Sequence, residues 1–173
     1  MYKPLIRLCF IATLLSLTSC GFHLRGNQAL PPSVNYVAMS SAQAHSPLAR
    51  ALKKRLKVYN IQGGSIADSP SPDTSVHIDI QPEQLERRLL SLFASGQVAE
   101  YELIYGVGYT VTFPDKAPIK AYFEVLRDYQ DDPEQVLAKS RELELVLSEM
   151  RDEAADKIIR RLTTQASQST PEL

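Results

Sequence analysis

Cysteine is scarce in this chain: of 173 residues only Cys9 and Cys20 carry a thiol. That excludes a disulfide framework and a cysteine-based zinc site, so the fold must stand on packing. Long apolar runs are nearly absent as well. Leu8 to Leu17 is the one sustained stretch, and it is too short to span a bilayer. Charge of one sign is not in excess either, with 19 basic against 20 acidic residues and no basic block of the kind that tracks phosphate backbones. The balance excludes a nucleic-acid binder.

Catalytic and metal motifs are also missing. His23, His45 and His77 stand singly, without metal-ligand spacing, and no G-x-S-x-G elbow occurs. Asp131 and Asp132 are adjacent acids, but Asp132 is accounted for as a helix cap. Gly106-Val107-Gly108 lies inside a strand and opens no helix, so it is no phosphate loop; it reads as a twist or bulge, or as a flat strip that another backbone or an acyl chain can approach. The chain is read as a non-enzyme, with no catalytic residue, no metal and no cofactor.

What is present begins at the N-terminus. Lys3 and Arg7 precede the apolar run, and Leu17-Thr18-Ser19-Cys20 resembles a bacterial lipobox, in which the cysteine thiol takes a diacylglycerol and cleavage leaves Cys20 first. Residues 1–19 are then a lipoprotein signal and Cys20 is the lipid attachment site. The other reading is an ordinary signal peptide with an incidental cysteine. Gly21, where an Asp would signal inner-membrane retention, points to the outer membrane. Removing Lys3 and Arg7 leaves 17 basic residues against 20 acidic, a net charge of −3, and 154 residues suit one domain. More than one acyl chain makes a stable anchor.

Residues 20–33 read as a lipidated tether, with Pro31-Pro32 excluding helix. Residues 34–164 read as one domain and 165–173 as a flexible tail, because "TTQASQSTPEL" has no apolar period. Val34 to Met39 is a short strand. Ser46 caps an amphipathic helix of about three turns, with Pro47 at its first position and Leu48, Leu52 and Leu56 on one face. Arg50, Lys53, Lys54, Arg55 and Lys57 form its other face, either solvated or facing lipid phosphate. Gly63-Gly64 ends this unit. Val76, Ile78 and Ile80 alternate with polar residues, Pro82 interrupts, and Leu85 to Phe93 resumes; the two runs can be one bent strand with an edge or a bulge at the proline.

The clearest strand is "VAEYELIYGVGYTVTF", with Tyr101, Leu103, Tyr105, Val107, Tyr109 and Val111 on one face. Glu100, Glu102, Thr110 and Thr112 lie on the other, beside Gly106 and Gly108. Ala94 to Gln97 turns into it, and Pro114 to Pro118 turns out to a strand from Ile119 to about Tyr129. Asp132, Pro133 and Gln135 then open a long helix as a capping box, with Val136, Leu143, Val146, Leu147, Met150, Ala154, Ile158 and Leu162 on one stripe. Two amphipathic helices and a sheet with one apolar face predict an α+β two-layer sandwich. Both helices pack on one face of a four-stranded mixed, mainly antiparallel sheet.

With "CGFHLRG", "GQVAEYEL" and "DDPEQVLAKS…EMRDEAADKIIRRL" in this order, the chain resembles the LPS-assembly lipoprotein family, LptE, up to about Leu162. The resemblance implies the same sandwich, set as a plug inside the outer-membrane β-barrel LptD, which it helps assemble, and a part in delivering lipopolysaccharide to the outer leaflet. It places the chain at the cell outer membrane, lipid-anchored, facing the periplasm or within the barrel lumen. It implies lipopolysaccharide contact at Lys139, which can equally be a solvated lysine near a helix start. Some members carry an arginine in the turn before "GQ"; here Ala94-Ser95 stands there, and Arg87, Arg88 or Arg141 can replace it. The second reading is a free-standing outer-membrane lipoprotein that binds lipid or peptidoglycan without a barrel.

The lipobox sets the first test. Cys20→Ala leaves an uncleaved or soluble form, and mass spectrometry of the wild type finds acyl chains on Cys20; an unmodified Cys20 overturns the assignment.

Overall fold

The computed structural model describes Leu30 and residues 34–167. Cys20, His23, the signal, nearly all of the tether and residues 168–173 lie outside the described residues. Strand β1 (Tyr36–Ser41) leads to helix α1 (Pro47–Val58), and then to strands β2 (Gly63–Ser65), β3 (Ser75–Ile80) and β4 (Gln84–Leu92). Strands β5 (Val98–Thr112) and β6 (Ile119–Gln130) and helix α2 (Val136–Ser167) complete the order.

Strand β5 is the spine. One of its edges pairs with β6 from Glu100 to Val111. Its other edge is shared: β3 pairs antiparallel with residues 109–112, and β4 with residues 98–106. Beyond β3, β1 and then β2 add in parallel. Among the described residues the sheet therefore has six strands, not the expected four. Pro82 divides one expected strand in two. Gly63–Ser65 adds a short edge strand that has no side-chain alternation to announce it.

The register across Pro82 is now defined. Ile80 lies opposite Tyr109 and Gln84 opposite Gly106, so four steps along the first strand match three along β5. One residue is extra, which is a bulge. Because side chains alternate, the slip exchanges faces. Val76, Ile78 and Ile80 are fully buried on the helix side before it, whereas Leu85, Arg87 and Leu89 occupy that side after it, opposite Tyr105, Leu103 and Tyr101.

Both helices cover the same face. Ser46 Oγ accepts from Ala49 N at 3.3 Å as the cap of α1, and Leu48, Leu52 and Leu56 are buried beneath the helix. In α2, Met150, Ala154, Ala155, Ile158, Ile159 and Leu162 are buried. The two alanines let α1 approach closely, and Lys54–Asp152 (3.1 Å) and Arg55–Asp156 (2.7 Å) bridge the helices. Ala166, four residues after Leu162, continues the buried stripe and holds the helix to Ser167, into the stretch expected to be a tail.

The start of α2 also differs from expectation. The helix begins at Val136, and Asp132 organises the preceding turn instead: its Oδ1 accepts from Glu134 N (2.9 Å) and its Oδ2 from Gln135 Nε2 (2.7 Å). Val136, assigned to the core stripe, is 63% exposed; the first turns overhang the sheet, and Leu143, Val146 and Leu147 are only partly buried. Met150→Ala should lower stability by about 2–5 kcal/mol through lost transfer energy and the cavity left behind, and Leu147→Ala by less. Urea unfolding measures both; equal losses would put the wrong face of α2 against the sheet.

Candidate functional site

The bulge builds the site. Helix α1 does not extend over the half of the sheet made by β4, β5 and β6, so the helix side of β4 is open beside the first turns of α2. Leu85 and Leu89 are 40% and 51% exposed there, although they share a face with the buried Leu103 and Tyr105. Arg87 stands between them.

Tyr129 forms the floor. It lies opposite Tyr101 on β6, is buried, and donates its hydroxyl to the carbonyl of Lys139 at 2.7 Å, which pins the start of α2 to the sheet. The Lys139 ammonium lies 5.4 Å from the Tyr129 ring centroid and pairs with Glu142 at 2.9 Å. That bond holds the Lys139 pKa above the ordinary lysine value, so the residue stays cationic throughout the physiological range. Burial raises the Tyr129 pKa, as does Glu142, while Lys139 and then Arg87 act against the rise. Two cations, one from the helix and one from β4, thus bear on one tyrosine.

The other arginines are placed elsewhere. The slip sends Arg88 to the bare face, where it pairs with Glu102. Arg141 is exposed two residues beyond Lys139, some 200° around the helix at ~100° per residue. Sequence reasoning missed Tyr129 as a site residue and could not choose between Arg87 and Arg88; Pro82 was the signal, because a proline inside a strand demands a bulge or an edge.

Behind the site, Glu83 inside the bulge joins three elements. Its Oε1 accepts Leu48 N at the start of α1 (2.8 Å), and its Oε2 accepts Arg151 Nε of α2 (3.0 Å). The Tyr105 hydroxyl nearby is pushed well above the ordinary tyrosine value, first by burial and then by the Glu83 charge.

The bare face is mixed, with Ile104 opposite the 49%-exposed Leu126 among polar neighbours. Ser91 donates to Glu100 at 2.9 Å, and Tyr122 donates to Glu124 at 3.0 Å. The glycine strip is filled from within the chain: a Cβ on Gly106 would come 2.6 Å from the Tyr122 hydroxyl, and one on Gly108 2.9 Å from Gln81 Oε1. A cleft of about 630 Å³ at one end of this face includes His77, Asp73 and Phe113 in its lining. His77 Nε2 lies 2.9 Å from Ser40 Oγ, which donates to Asp79 at 2.7 Å. A serine between the imidazole and the acid is not the order that activates a nucleophile. His45 is exposed, with φ 59°, ahead of the Ser46 cap, and Asp131 accepts the Asp132 amide at 2.9 Å. Among the described residues no group of three His, Cys, Asp or Glu side chains is gathered as a metal site.

The site is an open floor with Lys139 and Arg87 beside the exposed Leu85 and Leu89 on a two-layer body. The family model LptE, "Lipopolysaccharide-assembly", matches residues 31–162. The LPS-assembly lipoprotein LptE of Yersinia enterocolitica is 32% identical over 93% of this chain and 76% of its own length, and that of Photorhabdus laumondii 31% over 94% and 87%. The crystal structure of rare lipoprotein B from Shewanella oneidensis matches with a TM-score of 0.67 and 37% identity, covering 78% of this chain and 98% of that one. The chain belongs to the LptE family of non-enzymatic lipopolysaccharide-assembly lipoproteins.

Tyr129→Phe removes the bond that pins α2. Losing one hydrogen bond should lower stability by about 1 kcal/mol. Hydrogen exchange should quicken at the amides of the first turns of α2 while Ala154 to Leu162 stay protected; uniform exchange along the helix would show that Tyr129 pins nothing.

Proposed function

We propose that the protein is held at the outer membrane by lipid on Cys20, sits in the lumen of the LptD β-barrel and helps it assemble, and receives lipopolysaccharide on the Lys139–Arg87 floor. The carrying observation is the pairing of two cations with exposed leucines on one open face. Lipopolysaccharide combines phosphates with acyl chains. A cation makes charge-assisted hydrogen bonds to a phosphate, and the Leu85–Leu89 rim offers apolar surface beside it.

The rest of the surface suits a plug. Barrel interiors are polar, and the bare face presents Arg88–Glu102 and Ser91–Glu100 pairs to such a wall. Arg88 and Arg141 fall outside the floor, so the cationic pair of this chain is Lys139 with Arg87, in place of an arginine in the Ala94-Ser95 turn.

Lys139→Glu and Arg87→Glu should each weaken lipopolysaccharide binding by the purified protein about tenfold at low salt and less at high salt, as screening requires. Arg88→Gln should change it little. Depletion of the protein should lower both assembled barrel and surface lipopolysaccharide, and the tagged protein should purify as an equimolar, detergent-stable complex with the barrel. Unchanged barrel levels on depletion would favour the free-standing lipoprotein.

A further inference from the structure

The two helices run parallel and end at the same end of the sheet. Leu48 and Arg151 meet at Glu83 near one end, and Arg55 meets Asp156 further along both helices. Beyond that bridge the helices carry only cations, while Asp73 and Asp115 stand in the loops at this end of the sheet. Helix α1 continues with Lys57, and α2 with Lys157, Arg160 and Arg161, without an acid in either helix from there to its last residue. Arg161 Cζ lies 4.8 Å and Lys157 Nζ 5.8 Å from the Phe123 ring centroid, so both charged heads rest against the ring; Lys157 also pairs with Glu153 at 3.1 Å, and Arg160 is exposed beside them. Lys157, Arg160 and Arg161 line an opening of about 470 Å³ over Ala121. The opposite end carries both signs, with Asp128, Asp131, Asp132, Glu134, Glu142 and Glu144 beside Arg87, Arg127, Lys139 and Arg141. Complementing the helix dipoles requires less than this, since one cation in the last turn of each helix would serve.

The chain enters the fold at the basic end. Val37 N donates to Gln62 O just past α1, and a Cβ on Gly63, opposite Val37, would come 2.7 Å from Leu56 Cδ1 in the last turn of the helix. Leu30 packs against the core, so the 10 residues from Cys20 to Ala29 reach at most ~35 Å at ~3.5 Å per residue. We infer that this basic end, centred on Arg160 and Arg161 with Lys57 and Lys157 beside them, binds the phosphates of anionic phospholipids in the leaflet that holds the Cys20 acyl chains. The inference rests on lipid attachment at Cys20 and, where the body occupies a barrel, requires this end to stand clear of the barrel wall. It makes the basic end a second, electrostatic foothold that sets how the body stands on its tether. Each such cation multiplies partitioning to an anionic surface roughly fivefold.

The test uses the full mature chain, residues 20–173, with Cys20→Ser so that no acyl chain contributes. It should co-sediment with vesicles of phosphatidylethanolamine containing roughly a quarter phosphatidylglycerol and not with phosphatidylcholine vesicles, and about 0.5 M salt should release it. Arg160→Glu with Arg161→Glu should lower binding at least tenfold, and Arg88→Gln at the other end should leave it unchanged. If the reversed pair fails to fold by circular dichroism, Arg160→Gln with Arg161→Gln replaces it, with a loss of several-fold expected. Equal binding to both vesicle types, or binding indifferent to the paired substitution, overturns the inference. So does a paired variant that keeps vesicle binding but loses co-purification with the barrel, which would assign the basic end to the barrel wall. Mass spectrometry of wild-type Cys20 tests the lipid assignment separately.

Discussion

Everything on the open half of this molecule depends on the single extra residue between Ile80 and Gln84. Had the strand continued in register, Arg88 would face the helices and Leu85 and Leu89 would face the bare side. The bulge reverses that choice, and Glu83 holds it there by accepting from the start of α1 and from Arg151 of α2. A buried or half-buried carboxylate is tolerated because both its oxygens are satisfied, one by a backbone amide at the positive end of a helix and one by a guanidinium. Removing it would orphan Arg151 and the Leu48 amide at once.

The two halves of the sheet consequently differ in kind. Around β1 and β3, two layers close over a fully buried core with Val37, Ile78, Leu52 and Ile158 at its centre. Around β4 the second layer is only the start of α2, pinned by Tyr129, and Leu85 and Leu89 on the inner face stay exposed. The dense half supplies stability, and the proposed recognition falls to the open half. Under that proposal a small domain binds without opening its core.

The strong periods were legible in the sequence. The alternation from Val98 to Thr112, the Leu48–Leu52–Leu56 stripe and the Ser46-Pro47 cap each state a local preference that packing reinforces. Less legible were the features decided by tertiary context. Gly63–Ser65 is a strand only because β1 offers an edge. Val136 is apolar yet exposed, because the sheet ends before the helix does. The choice of Arg87 over Arg88 requires a register, which two adjacent arginines cannot reveal by themselves. Lys139 entered through resemblance, and its neighbour Tyr129 became visible only when β6 and α2 were brought together. The lipobox at Cys20 is purely a sequence signal, since it lies outside the described residues.

The pairing of β1 has a kinetic consequence. The β4–β5–β6 meander closes through short turns, at Ala94–Gln97 and Pro114–Pro118, whereas Tyr36 must find Ser75 across α1 and β2. Short loops close at a smaller entropic cost, and local pairings form early. The meander is thus the natural folding nucleus, and β1 is recruited to it last. A nascent domain would consequently display its open half before its own core is sealed. At that stage Val37 and Met39, buried in the finished fold, are apolar surface still open to water.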